Sequence, residues 1–241
     1  MTAPGPADLP IELDAWLRQL AGGRPAERIA ALAGLSAADG NELNHPRIQD
    51  ALIVALGDPE KAVRRVAVEL IERAARRSPG WRERLGSALE SPDSERRWAA
   101  AFALGRLGAP TAASLPVLLE HLGHADGDVR WAAHKLLVRL SSEEARVRDA
   151  ALRLASQTAS RTKKMALYLL RDLRRRDAEL ERLLLAALAD SDRDVRLAAI
   201  NVLIKLDIAL PEARAELRRL EQDDPFAGVR RAAKTALLRL T

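Results

Sequence analysis

Four of the seven aromatic residues in this 241-residue chain, Trp98, Phe102, Trp131 and Tyr168, fall in a stretch that also carries Arg106, His134, Lys135, Arg139 and Lys164. Aromatic rings beside cations can hold a peptide with acidic and apolar groups, or stack unpaired bases while pairing their phosphates. These nine residues are the candidate partner-binding set. Catalytic chemistry is harder to assemble. The histidines are His45, His121, His124 and His134. His121 and His124, with Glu120 beside them, could meet a metal from one helix end, but two imidazoles without a further ligand read better as a solvated turn. His134 is expected as a surface contact beside the aromatic group. No catalytic residue, metal or cofactor is assigned.

A repeated phrase positions these residues. Asp190 to Leu206 reads D-S-D-R-D-V-R-L-A-A-I-N-V-L-I-K-L, an acidic turn running into a helix. Its arginine position recurs at Arg28, Arg64, Arg97, Arg130, Lys163, Arg196 and Arg230, at intervals of 36, 33, 33, 33, 33 and 34 residues. A period held so closely means a stacked array, in which each unit buries its apolar face against its neighbours. The first helices of successive units are expected near 46–57, 79–90, 113–123, 143–156, 178–189 and 211–221. Second helices are expected near 60–76, 93–107, 127–140, 160–175, 193–207 and 226–240. An additional pair begins at Pro10, with Gly22-Gly23 as its turn and a second helix over 25–36. Pro10, Pro46, Pro79 and Pro211 suit helix first turns, where a missing N–H costs nothing. Nothing alternates with period two, so no sheet is expected. Ala37 to His45 is the longest irregular connection, and residues 1–9 read as a flexible lead-in to a repeat domain over 10–241.

Within each second helix the valines (Val63, Val129, Val195, Val229), the paired alanines (Ala132-Ala133, Ala198-Ala199) and the following leucines share one apolar stripe. Small alanines let helices approach closely. The repeat arginines are expected to pair with turn carboxylates such as Asp58 and Asp190, an exposed ion pair of that kind contributing about 0.2–1 kcal/mol. Positions one, five and nine after each arginine should point away from the stripe. Trp98, Trp131 and Lys164 stand at the first; Phe102, Lys135 and Tyr168 at the fifth; Arg106 and Arg139 at the ninth, a basic row (Arg73, Arg106, Arg139, Lys205, Arg239) interrupted by Asp172. The competing reading packs the tryptophans between neighbouring second helices as semi-buried core.

Composition agrees with such an array. Hydrophobic residues make up 48% of the chain but aromatics only 3%, so alanine and leucine must do the packing. Absence of cysteine excludes disulfides and thiolate metal sites. No run of 18 apolar residues and no basic-then-apolar start is present, which predicts neither a membrane span nor a secretory signal, and a cytoplasmic location. The net charge of +5 permits an anionic partner without demanding one. Arg76-Arg77 and Arg174-Arg175-Arg176 close second helices, where cations complement the helix dipole.

The phrase Asp190-Ser191-Asp192-Arg193-Asp194-Val195-Arg196-Leu197-Ala198-Ala199 resembles a HEAT repeat, more particularly the bacterial HEAT-like repeats named after the phycobilisome lyases, and the resemblance spans about Pro10 to Leu240. It implies that the second helices line a concave face. The His-Glu pairs by which deoxyhypusine hydroxylase holds iron are missing. The helical repetition is also similar to the HEAT-like alkylpurine DNA glycosylases, for which Asp172 or Glu69 would be the acid. A bilin lyase role would rest on the repeat type alone. The expectation is an all-α, right-handed α-solenoid of about seven HEAT-like helix pairs. It would act as a non-enzymatic binding or scaffold module whose concave face engages a protein or peptide. The alternative is a nucleic-acid binder related to the glycosylases, and a bilin lyase-like protein ranks below that. No membrane partner is expected, and the oligomeric state is open.

Overall fold

The computed structural model describes residues 10–38, 42–108, 111–140, 143–157 and 159–240. The expected lead-in at residues 1–9 and the centre of the Ala37–His45 connection lie outside them. Among the described residues all regular structure is helical, with fourteen α-helices and no strand. They run α1 (Ile11–Gly22), α2 (Pro25–Leu35), α3 (Pro46–Ala55), α4 (Lys61–Ala75), α5 (Gly80–Ala88), α6 (Ser94–Arg106), α7 (Leu115–Glu120), α8 (Gly127–Arg139), α9 (Glu144–Gln157), α10 (Ser160–Leu173), α11 (Ala178–Leu188), α12 (Arg193–Leu206), α13 (Pro211–Asp223) and α14 (Ala227–Arg239). These are the seven expected pairs, with boundaries within a few residues of those read from the sequence. The fourth pair has a broken first member, in which 3-10 turns at Ala112–Ser114 and His121–Gly123 flank the short α7. The chain divides into two compact units, Met1–Val117 and Leu118–Thr241.

In the first unit α2, α4 and α6 pack in succession, with α1, α3 and α5 against them. Leucines, alanines and Trp81 fill the interior, and the Trp81 indole N–H donates to the Asn44 side chain at 2.7 Å, so the one polar atom of that buried ring is satisfied. Gly34 of α2 is held to glycine by its neighbour: a Cβ there would lie 2.3 Å from the Trp16 ring. In the second unit α8, α10, α12 and α14 form an equivalent row, and α9, α11 and α13 pack beside their partner helices. The stripe residues Val129, Ala133, Ala166, Val195, Ala198, Ala199, Val229 and Ala233 are all buried there.

Local chemistry sets the helix ends. Asp93, Asp126, Asp177 and Asp192 stand at N-caps, and each carboxylate accepts from a backbone N–H two or three residues on. A cap of this kind is worth about 0.5–2 kcal/mol. Pro25, Pro46 and Pro211 occupy first helical positions. Arg174 and Asp207 end α10 and α12 in the left-handed conformation, at φ of 55° and 52°, a C-terminal stop more commonly given to glycine.

The repeat arginines do more than make exposed ion pairs. Arg28, Arg64, Arg97, Arg130, Arg196 and Arg230 each donate to backbone carbonyls of the turn just before their own helix, as Arg196 does to Asp190 and Ser191 at 2.8 and 3.0 Å. Several also reach an acid of the following repeat: Arg28 to Asp58, Arg64 to Glu95, Lys163 to Asp190 and Arg196 to Asp224. In the last of these the two side chains are only 8% and 2% exposed. The expectation of a solvated pair is therefore corrected. Each arginine fastens its own turn and, where the acid is present, ties one repeat to the next; removing one partner of a buried pair costs about 3–5 kcal/mol.

Candidate functional site

The candidate residues divide between the two units. In the first, α6 carries Trp98, Phe102 and Arg106. Trp98 is 8% exposed, so its first-row position does not deliver it to solvent. Its ring stacks on Phe102, one turn along, with centroids 5.7 Å apart and an interplanar angle of 28°. The Arg106 guanidinium lies 5.8 Å from the Phe102 centroid and pairs with Glu72 of α4. Trp98 is thus core, as the competing sequence reading had it, and Phe102 is half-buried beneath a cation already engaged.

In the second unit, α8 presents Trp131, His134, Lys135 and Arg139, and α10 presents Lys164, Tyr168, Arg171 and Asp172. Trp131 is 43% exposed. It stacks across to Tyr168 at 5.8 Å and 15°, and meets the edge of His134 at 5.3 Å and 69°. Aromatic pairs in such geometries are worth about 0.5–1.5 kcal/mol beyond the area they bury. The Arg171 guanidinium sits 4.8 Å from the Tyr168 centroid and donates to both Asp172 carboxylate oxygens, at 2.7 and 3.0 Å, and to the Asn201 side chain on α12 at 2.9 Å.

His134 corrects another expectation, for it is buried and not a surface contact. Its Nε2 lies 2.9 Å from Asp172 Oδ2, while its buried Nδ1 has no hydrogen-bond partner. Burial pushes the imidazole below its ordinary value, against the opposing pull of Asp172. Burial alone would raise the Asp172 carboxyl, but hydrogen bonds from Arg171 and His134, together with their charges, hold it below the usual carboxylate range. An ionised carboxylate only accepts, so the neutral imidazole carries its proton on Nε2 and donates it to Asp172. The result is a fixed floor of Tyr168, His134, Asp172 and Arg171 beneath one open indole.

The other candidates separate by pairing. Lys135 is exposed. Lys164 is tied to Asp194 at 2.8 Å and is not the free cation that its position suggested. Arg139 is exposed at the end of α8. Sequence reasoning missed Arg171 and Asn201, and treated Asp172 only as an interruption of the basic row or as a candidate catalytic acid. The usable signal was Asp172 itself, a carboxylate in an otherwise basic row. His121 also departs from expectation: it is buried, and stacks on His124 at 5.6 Å, so this is no solvated turn. Among the described residues no group of three or more His, Asp or Glu side chains converges as a metal site. No described helix is long and apolar enough to cross a membrane.

The family described as HEAT repeats matches residues 49–137 and 82–164. No curated protein matches the sequence. Solved structures of similar fold include the Escherichia coli protein YibA, 17% identical over 78% of this chain and 69% of that one, with a TM-score of 0.58. Kap95p, solved with RanGDP, is 13% identical over 95% of this chain and 35% of its own, with a TM-score of 0.63. Importin beta is 15% identical over 94% of this chain and 35% of its own, at 0.55. At these identities the likeness is one of fold.

Proposed function

Since this chain is a HEAT-repeat protein, we propose that it is a non-enzymatic binding module that holds a protein or peptide on the face lined by its second helices, with Trp131 of the second unit as the anchor. That face is the concave one by resemblance to folds of this kind. The observation that carries the reading is a large aromatic side chain left 43% exposed on a floor that is otherwise packed and hydrogen-bonded. Interface energy concentrates in such residues, because an indole offers much contact area with few rotatable bonds to freeze. The engagement of Asp172 by Arg171 and His134 favours a structural role for this acid, the one of the two base-excision candidates that lies beside Trp131. Kap95p, which shares the fold, binds the protein RanGDP.

The test is selection of binders from a random peptide library, followed by titration of the selected peptides against wild type, Trp131→Ala and Trp98→Ala. Trp131→Ala is expected to weaken binding at least tenfold, and folded Trp98→Ala to retain it. Failure to find any peptide whose affinity depends on Trp131 would sink the reading. Tight, salt-sensitive binding of random-sequence DNA that Trp131→Ala abolishes would replace the peptide with nucleic acid.

A further inference from the structure

Charge is distributed unevenly between the layers of the second unit. The helices α8, α10, α12 and α14 carry fourteen Lys and Arg against three Asp, whereas α9, α11 and α13 carry seven basic and eight acidic residues. The imbalance therefore belongs to the second-helix row and is not a property of the unit as a whole. Pairing sharpens it. Two of the three acids are already held by cations of the same row, Asp172 by Arg171 and Asp194 by Lys164. Among the described residues, the exposed cations Lys135 on α8, Lys205 on α12 and Arg231 and Arg239 on α14 meet no carboxylate. What this row offers a partner is an open indole at one end and uncompensated positive charge leading away from it.

Resting on the function proposed above, we infer that the partner is an acidic, extended peptide segment that lays an apolar or aromatic side chain on Trp131 and places carboxylates against Lys135, Lys205, Arg231 and Arg239. Spacing favours this occupant. Packed helices stand about 8–10 Å apart, and an extended chain advances about 3.3–3.6 Å per residue. Lys135 and Lys205, two helices apart, correspond to carboxylates roughly six residues apart; Lys205 and the α14 arginines, on neighbouring helices, to roughly three. A nucleic acid strand carries a charge at every nucleotide and would pass Asp172, Asp194 and the uncharged Asn201 on its way across the row. It would also find open rings only at Trp131 on α8 and at Phe226 before α14, three helices apart, where successive bases call for neighbouring ones.

The experiment uses the full chain and fluorescence anisotropy with labelled probes. The first probe is a peptide of about twelve residues with glutamate at every third position and a central leucine, long enough to cross the row. The second replaces each glutamate by lysine, the third by glutamine, and the fourth is an oligothymidylate of matching length. The glutamate peptide is expected to bind at least tenfold more tightly than the other three, to weaken as salt rises, and to lose at least tenfold in affinity in Lys205→Glu/Arg239→Glu. Arg182→Glu, an exposed change on α11, is expected to leave it unchanged. Trp131-dependent binding that favours the lysine or glutamine peptide would overturn the acidic partner while leaving the binding face intact. Tighter binding of the oligothymidylate, or an equal loss in Arg182→Glu, would also overturn it. Loss of Trp131 dependence for every peptide would fell the proposed function itself.

Discussion

Trp98 and Trp131 stand one period of 33 residues apart, at the same place in their helices, and meet opposite fates. Trp98 turns along its own helix onto Phe102 and is buried; Trp131 reaches across to Tyr168 on the next helix and stays open. Both have an aromatic partner, and both partners lie beside an arginine. The difference is what each arrangement leaves over. In the first unit the ring, its partner and Arg106 with Glu72 are spent on packing. In the second, packing is done by His134, Asp172 and Arg171, so the indole is released from it. Position in a repeat fixes where a side chain starts, and its neighbours decide whether it ends in core or at a surface.

The strongest way to break this contrast is Trp98→Ala. Truncating a buried tryptophan is expected to cost about 3–5 kcal/mol, measured by urea unfolding, with binding of a Trp131-dependent peptide unchanged in the folded fraction. A stable Trp98→Ala protein that no longer binds would reverse the roles of the two units. Asp172→Ala comes next. It leaves Arg171 and the His134 Nε2–H without their shared acceptor and is expected to cost about 1–3 kcal/mol, with peptide affinity falling because the floor under Trp131 is loosened. Trp131→Ala should be milder in stability, about 0.5–1.5 kcal/mol for the lost aromatic contacts, although it has the largest effect on binding. An unfolding midpoint shifted as far as that of Trp98→Ala would show that Trp131 is core as well.

Acidification sharpens the same contrast, because the buried imidazole belongs to the second unit's floor. His134 titrates lower folded than unfolded, so from the ordinary value of 6.5 downward the unfolded chain takes up the proton first. Its contribution to stability is present above that value and falls as pH drops toward the folded one. Asp172, also depressed, gives up its own contribution only at lower pH, as the solution passes through its folded value below 3.8. Urea unfolding between pH 7.5 and 5.5 is expected to show a loss that His134→Gln reduces. An unchanged slope in that variant would mean that the imidazole does not titrate there. The smallest effect is expected from Lys164→Met, whose half-exposed pair with Asp194 is worth about 0–1 kcal/mol.

The period, the pairing of helices and most of their boundaries were legible because the apolar stripe and the turn residues repeat in register. That the repeat cations pair with turn acids such as Asp58 and Asp190 was legible too, since both recur in the phrase, but not that the acid belongs to the following repeat, as it does for Arg28 and Lys163. The carbonyl contacts of the arginines were not legible, for they depend on where the turn backbone points. Nor was the burial of Trp98, His121 and His134, which is decided by side chains on other helices. His134 and Asp172 are 38 residues apart, one period and a little over a helical turn, so their contact runs diagonally between neighbouring helices and belongs to neither repeat alone. Phe226, 40% exposed with Arg193 4.9 Å from its centroid, shows that an open aromatic is not confined to the candidate rows.

The arginine ties have a consequence for how such a chain can change length. Arg28, Lys163 and Arg196 each join their own repeat to an aspartate of the next, so these joints are assembled from the same two parts, a cation upstream and an acid downstream. A joint of standard parts is indifferent to how many others precede it. Duplicating or excising one whole period would return a cation to an aspartate, with Lys163 taking Asp224, for instance, where Arg196 had held it. An insertion of any other length in a second helix would rotate the cation away from its acid and expose the stripe behind it. Growth by copying is therefore compatible with joints of this kind, and a family of proteins differing in extent could share one set of them.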